Sequence, residues 1–177
     1  MEIEVNGCLI YYEDDGAKEL PPVLLWNGAN CTLRMWDFIV EKLKTDYRFI
    51  RFDVRGTGSS IYKNPDPSSF SLDQYSEDVN CILEQLQIEK LAIWSMAWGS
   101  RAAIAYCSKN AKRVKNAVFH DASIAKADPA AQKKGARTAV EKQISSGIKK
   151  FEKPARYNLN LQPELVSSAL AGAAHFD

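Results

Sequence analysis

The strongest constraint on the fold is the stretch at residues 90–101, K-L-A-I-W-S-M-A-W-G-S-R. Leu91, Ala92, Ile93 and Trp94 form a short apolar run, which predicts a buried strand. Ser95, Ala97, Gly99 and Ser100 then bring small side chains at close spacing. Ala102-Ala103-Ile104-Ala105-Tyr106 continues as a helix. A strand that turns so sharply into a helix leaves little room for side chains two residues before and two after the tip. The tip here is Ala97.

The sequence on either side predicts a sheet that can hold such a turn. Residues 2–12 alternate polar and apolar about Asn6-Gly7, a strong hairpin signal, so two antiparallel strands open the chain. Val23-Leu24-Leu25-Trp26 is continuously apolar, as a strand covered on both faces should be, and ends in the turn Asn27-Gly28-Ala29-Asn30. Thr32 is an N-cap for a helix with Trp36, Ile39, Val40 and Leu43 on one stripe. Residues 48–52 form the next strand, and a polar, glycine-containing turn occupies residues 53–60. Ser71 and Gln74 make a capping box. The helix they open turns Leu72, Tyr75, Val79, Ile82, Leu83 and Leu86 inward. Residues 117–121 form a last strand. From Val23 the order is strand, helix, strand, helix, strand, helix, strand. That alternation predicts an α/β fold with a mostly parallel sheet, right-handed crossovers and helices on both faces.

Composition narrows the function classes. The 177 residues suffice for one domain with a real core, and 46% hydrophobic with 25% charged residues is ordinary for a soluble chain. A net charge of +1 gives no argument for nucleic acid or an anionic membrane. No apolar run approaches the roughly 20 residues that span a bilayer, and the start, M-E-I-E-V, lacks the features of a secretory leader. Cys8, Cys31, Cys81 and Cys107 are widely spaced, with no C-x-x-C and two histidines in the chain. Free thiols are expected rather than disulfides or zinc ligands, with no metal or cofactor and a cytoplasmic location. Residues 126–153 hold eight basic residues against three acidic, read as the solvated face of a helix.

Three motifs follow one another in register. They are the apolar strand ending in Asn27-Gly28, the D-x-R-G-x-G-x-S run at residues 53–60, and Ser95-Met96-Ala97-Trp98-Gly99, which fills the five places of the nucleophile-elbow pattern G-x-S-x-G. Together they resemble the α/β-hydrolase superfamily, where the first motif is usually His-Gly. The run A-W-G-S-R-A-A-I-A-Y is similar to the proline-iminopeptidase-like and esterase or lactonase branches. The resemblance implies a hydrolase core over residues 1–123 and a helical cap over residues 124–177 that the chain ends inside, with the C-terminal strands missing.

By the same resemblance, the family's chemistry is serine hydrolysis of small esters, lactones or amides. The oxyanion hole would be the backbone N–H groups of Ala29 and Trp98, with Asn27, Gly28, Asn30 and Met96 lining the substrate. Ala97 stands where the nucleophilic serine would be, and a methyl group cannot attack a carbonyl. The catalytic acid and histidine would follow the cap, beyond residue 177. The chain is therefore expected to be an inactive hydrolase, either through a replaced serine or as a natural non-catalytic binding or interaction protein that keeps the pocket. Arg55 is expected to fix its loop through charge-assisted hydrogen bonds rather than to act in catalysis.

Other candidates are weaker. Ser95 lacks the flanking pattern of a nucleophile. His120 and Asp121 are neighbours on the last strand and should point to opposite faces, so they do not make a dyad. The resemblance leaves Asp121 as a minor candidate for the acid. His175 belongs to a terminal tail. A small-molecule ligand is the expected partner. The last strand is apolar and lacks the features that protect sheet edges, so the remaining partner is a complementing C-terminal segment or a second copy at that edge.

Overall fold

Asn6 and Gly7 both adopt left-handed φ, 45° and 77°, as the tight turn of a two-residue hairpin requires. They join β1 (Glu2–Val5) to β2 (Cys8–Asp15) in antiparallel register, with Val5 opposite Cys8. The structure, a computed structural model, describes residues 1–29, 31–62 and 69–122. The expected cap, its basic run, His175 and Asn30 lie outside the described residues.

Four parallel strands carry the rest of the sheet: β3 (Pro22–Trp26), β4 (Arg48–Phe52), β6 (Leu91–Met96) and β7 (Val114–His120). A two-residue strand, β5 (Ile61–Tyr62), pairs with β2. It is too short to leave a periodic signal in the sequence. The order across the sheet is β1-β2-β4-β3-β6-β7, so β3 and β6 both lie inside the sheet and β7 lies at an edge among the described residues.

The pleat sorts side chains onto two faces. On one face Ile10, Tyr12, Leu24, Trp26, Ile50 and Phe52 meet helices α2 (Leu72–Gln85) and α3 (Trp98–Lys109), through Val79, Ile82, Leu83, Ala102, Ala103 and Tyr106. On the other, Val23, Leu25 and Phe49 pack against Trp36 and against Val40 of α1 (Asp37–Leu43). Two arginines of β4 are also buried, each paired. Arg48 makes two 2.8 Å bonds to Asp14, and Arg51 bonds Asp15 and Glu13 at 2.8 and 2.6 Å and also meets Asp37. Paired in this way, the charges are tolerated inside the fold.

Four expectations need correction. The helix after Thr32 starts as a 3₁₀ turn, Leu33–Trp36, before α1 begins. The Asp53 carboxylate takes the Leu33 N–H at 2.7 Å, which tightens that first turn. The capping box at α2 is half made: Ser71 Oγ accepts the Gln74 N–H at 3.1 Å, but the Gln74 side chain turns to Asn6 and Asp78. Leu72, assigned to the inward stripe, is exposed in the first turn of α2. The last strand also starts earlier than expected, at Val114.

Candidate active site

The turn between β6 and α3 places Ala97 at φ 50° and ψ −119°, a region that residues with a Cβ rarely enter. Its N–H bonds the His120 carbonyl at 2.9 Å, so the turn is fixed to the end of β7. The helix then starts directly behind the strand. This approach depends on Gly99: a Cβ there would lie 2.8 Å from the Trp26 carbonyl oxygen and closer still to that of Asn27. Real Cβ atoms do not approach backbone so closely, so glycine at this place is a steric requirement.

Ser95, two residues before the tip, fits where a smaller residue is expected because its hydroxyl is fully occupied. Ser95 Oγ lies 3.1 Å from both Ser100 Oγ and the Val118 carbonyl, and the residue is buried. A buried hydroxyl held in this way is a poor nucleophile.

The other side of the site is the end of β3. Gly28 is buried against the turn, and a Cβ on it would meet Ala97 Cβ at 3.7 Å and the Met96 carbonyl at 3.6 Å. Ala29, next in the chain, is exposed, whereas Met96, Ala97 and Trp98 are half-buried. The Trp98 ring turns back onto Tyr75 of α2, edge to face with centroids 5.1 Å apart. The Met96 side chain packs on the α1 side of the sheet.

Asn27 differs from expectation: its side chain is a strut and does not line a site. Asn27 Nδ2 donates to the Phe52 carbonyl at 2.9 Å, and its Oδ1 accepts the Trp36 indole N–H at 2.8 Å. It is fully buried. One donor and one acceptor are also what a neutral imidazole offers, so asparagine can fill the place of histidine in the motif.

The D-x-R-G-x-G-x-S turn holds this end of the sheet together. Asp53 Oδ1 and Oδ2 accept the N–H groups of Leu33 and Ser59 at 2.7 and 2.8 Å. Burial pushes its carboxyl above the usual range, while those two bonds and the charges of Arg34 and Arg51 pull the other way. Gly58, at φ 54°, has no room for a Cβ beside that carboxylate. Arg55 is buried with its Nε 2.6 Å from Asp78 Oδ2, and further bonds reach Asp78 Oδ1, the Tyr62 hydroxyl and the Val5 carbonyl. Burial opposes its charge, yet the Asp78 carboxylate and the Tyr62 hydroxyl outweigh it and raise its pKa. Sequence reasoning foresaw the role of Arg55 but missed Asp78. The available signal was a lone carboxylate on the apolar stripe of α2, between Tyr75 and Val79.

His120 contributes its backbone carbonyl to the turn, and Asp121 lies just past β7 at φ 53°. Strand alternation therefore does not govern their relative orientation, because Asp121 is outside the strand. An apolar groove of about 270 Å³, lined in part by Val23, Phe49, Ala92, Trp94 and Val118, lies toward the opposite end of the strands. It shares no residue with the turn and is not the candidate site. Among the described residues no group of three or more His, Cys, Asp or Glu could hold a metal, and no helix is long and apolar enough to cross a membrane.

The family profile for the alpha/beta hydrolase fold matches residues 21–140. The 3-oxoadipate enol-lactonase 1 of Acinetobacter baylyi is 31% identical over 100 residues, which cover 56% of this chain and 36% of that protein. An uncharacterized hydrolase of Saccharomyces cerevisiae is 27% identical over 109 residues, covering 62% of this chain and 37% of its own length. The crystal structure of a hydrolase from Pseudomonas aeruginosa superposes with a TM-score of 0.76 at 25% identity, over 99% of this chain and 67% of the other. The chain thus spans a little over a third of the length of these two curated relatives. The matched profile covers more than half the chain and includes both the β3 end and the strand-to-helix turn; the chain belongs to the α/β hydrolase fold family.

Proposed function

We propose that this chain carries the nucleophile-elbow and oxyanion half of a hydrolase site for small esters, lactones or amides, with Ala97 in the nucleophile's place. The observation that carries this reading is the backbone of Ala97, at positive φ on a strand-to-helix junction that faces Gly28. In this reading the N–H groups of Ala29 and Trp98 receive a carbonyl oxygen as negative charge develops on it. Backbone donors do not depend on side-chain identity, so this part of the chemistry is independent of the residue at position 97. Loss of the nucleophile is a different matter: in subtilisin it lowers turnover by on the order of 10⁶.

Hydrolysis of nitrophenyl acetate tests the reading. The chain should release nitrophenolate at the buffer rate. A rate above background that disappears in Ser95→Ala would make Ser95 the nucleophile and overturn the assignment of position 97.

The methyl group of Ala97 favours a second reading, in which the chain binds a small carbonyl or carboxylate ligand without turning it over. Saturable binding by a chain whose natural gene encodes alanine at position 97 would support it. Serine there, with an acid and a histidine downstream, would support the enzyme. We also propose that the β7 edge receives a further strand, from a complementing segment or a second copy. Val118 and Phe119 point to opposite faces of that edge and both are exposed. A chain that stays monomeric at all concentrations in sedimentation, with the Val118 and Phe119 amides protected from exchange, would refute this.

A further inference from the structure

The turn at Ala97 is held by more than its own residues. Ser95, the last but one residue of β6, and Ser100, in the first turn of α3, are both fully buried, and their hydroxyl oxygens lie 3.1 Å apart. Ser95 Oγ also reaches the Val118 carbonyl at 3.1 Å, and Ser100 Oγ reaches the His120 carbonyl at 3.1 Å. That same His120 carbonyl accepts the Ala97 N–H at 2.9 Å. Each hydroxyl has one proton. If Ser100 donates to His120, Ser95 can donate either to Ser100 or to Val118, and both oxygens keep lone pairs to accept.

We infer that Ser95 and Ser100 form a two-hydroxyl clasp that fastens both sides of the turn to the end of β7, and so act as positioning residues for position 97. The clasp brackets the tip: one hydroxyl comes from the strand before it and the other from the helix after it. Both bond carbonyls of β7 two residues apart, so the turn cannot rotate without breaking one of them. This is a physical reason for serine at residue 95, where a turn of this kind has room for a residue with no side chain. Glycine would remove the hydroxyl that reaches the Val118 carbonyl and would leave the buried Ser100 hydroxyl with the His120 carbonyl alone. The tie between β6 and the end of β7 would then be lost on the strand side of the turn.

The inference rests on position 97 being the tip of the turn, and its test does not require catalysis. Amide hydrogen exchange is measured residue by residue on the full chain and on Ser95→Ala and Ser100→Ala. Loss of one hydrogen bond should speed exchange at Ala97, whose N–H bonds the His120 carbonyl, about tenfold, with exchange in β2 and β4 unchanged. The double variant should be only slightly faster than either single one, because the two hydroxyls act as a unit. Uniformly faster exchange throughout the sheet would mean that the serines serve global stability alone, and would overturn the proposal. Unchanged exchange at Ala97 in folded variants would overturn it equally. If Ser95→Ala does not fold, Ser95→Cys keeps the side chain's shape with a weaker donor, and the same local increase is expected. Failure of the ester-hydrolysis reading would leave these exchange patterns untouched, so the two ideas fall separately.

Discussion

Replacing Gly99 by alanine puts the packing of the turn to a direct test. A Cβ at this position would sit 2.8 Å from the Trp26 carbonyl oxygen, 2.9 Å from the Asn27 carbonyl carbon, and nearer still to the Asn27 oxygen. All of these are backbone atoms at the buried end of β3, which cannot swing aside as a flexible side chain could. Inserting a methyl into such a site costs typically 1–3 kcal/mol, and the backbone contact puts this case at about 3. Alanine in a helix recovers at most about 1 kcal/mol relative to glycine. The net expectation is a loss of about 2 kcal/mol. With a urea dependence of about 2 kcal/mol per molar, the unfolding midpoint should fall by about 1 M. Gly28→Ala is the control, because its Cβ would meet Ala97 Cβ at 3.7 Å and the Met96 carbonyl at 3.6 Å, both ordinary contacts. Its midpoint should move by less than a quarter of that amount, corresponding to about 0.5 kcal/mol. A Gly99→Ala chain as stable as the parent, or a Gly28→Ala chain that loses more, would refute the close approach of α3 to β3.

Further expectations follow from the same contacts. Ala97→Gly should stabilise the fold by about 1 kcal/mol in urea unfolding, since relief of a strained φ is worth about 1–3 kcal/mol and added unfolded-state entropy returns about 0.5–1; a destabilised variant would mean the turn is unstrained. Asp78→Ala should lower stability by about 3–5 kcal/mol by leaving Arg55 buried and unpaired, and the double change Arg55→Met with Asp78→Leu should lower it less; the reverse order would deny that the pair acts as a unit. Burial pushes the Cys8 and Cys31 thiols and the Tyr106 hydroxyl up, so the folded chain holds those protons more tightly than the unfolded one. Their contribution is therefore complete below about pH 8.5 for the thiols and about pH 10 for the tyrosine, and is lost as pH rises through the folded values. Thermal unfolding should move to lower temperature between pH 8 and pH 10.5, and a midpoint that rises over this range would contradict that sign.

The fold was legible wherever the sequence is periodic or punctuated. Asn6-Gly7 marks the hairpin, the unbroken apolar runs at Val23 and Leu91 mark the central strands, and the small residues about Ala97 mark the sharp turn. What could not be read depends on partners distant in sequence. Asn27 reads as a polar residue at a strand end, and only the Phe52 carbonyl and the Trp36 indole turn it into a strut. The 3₁₀ turn at Leu33 exists because Asp53, twenty residues on, takes its N–H. Ser95 reads as a departure from glycine until Ser100 and Val118 show where its hydroxyl goes. Leu72 has the right phase for the buried stripe of α2 but sits in its first turn and is exposed.

The most direct test of the site is a titration of the isotopically labelled chain with a small alkyl phosphonate, whose tetrahedral anionic oxygens imitate an oxyanion, followed at each backbone amide. If Ala29 and Trp98 donate into one site beside Ala97, their two amide resonances should shift together along a single saturation curve, with those of Ala97 and Gly99 moving less. If the phosphonate leaves both amides in place, or shifts amides at the opposite end of the strands instead, the turn at Ala97 does not form an oxyanion-binding site.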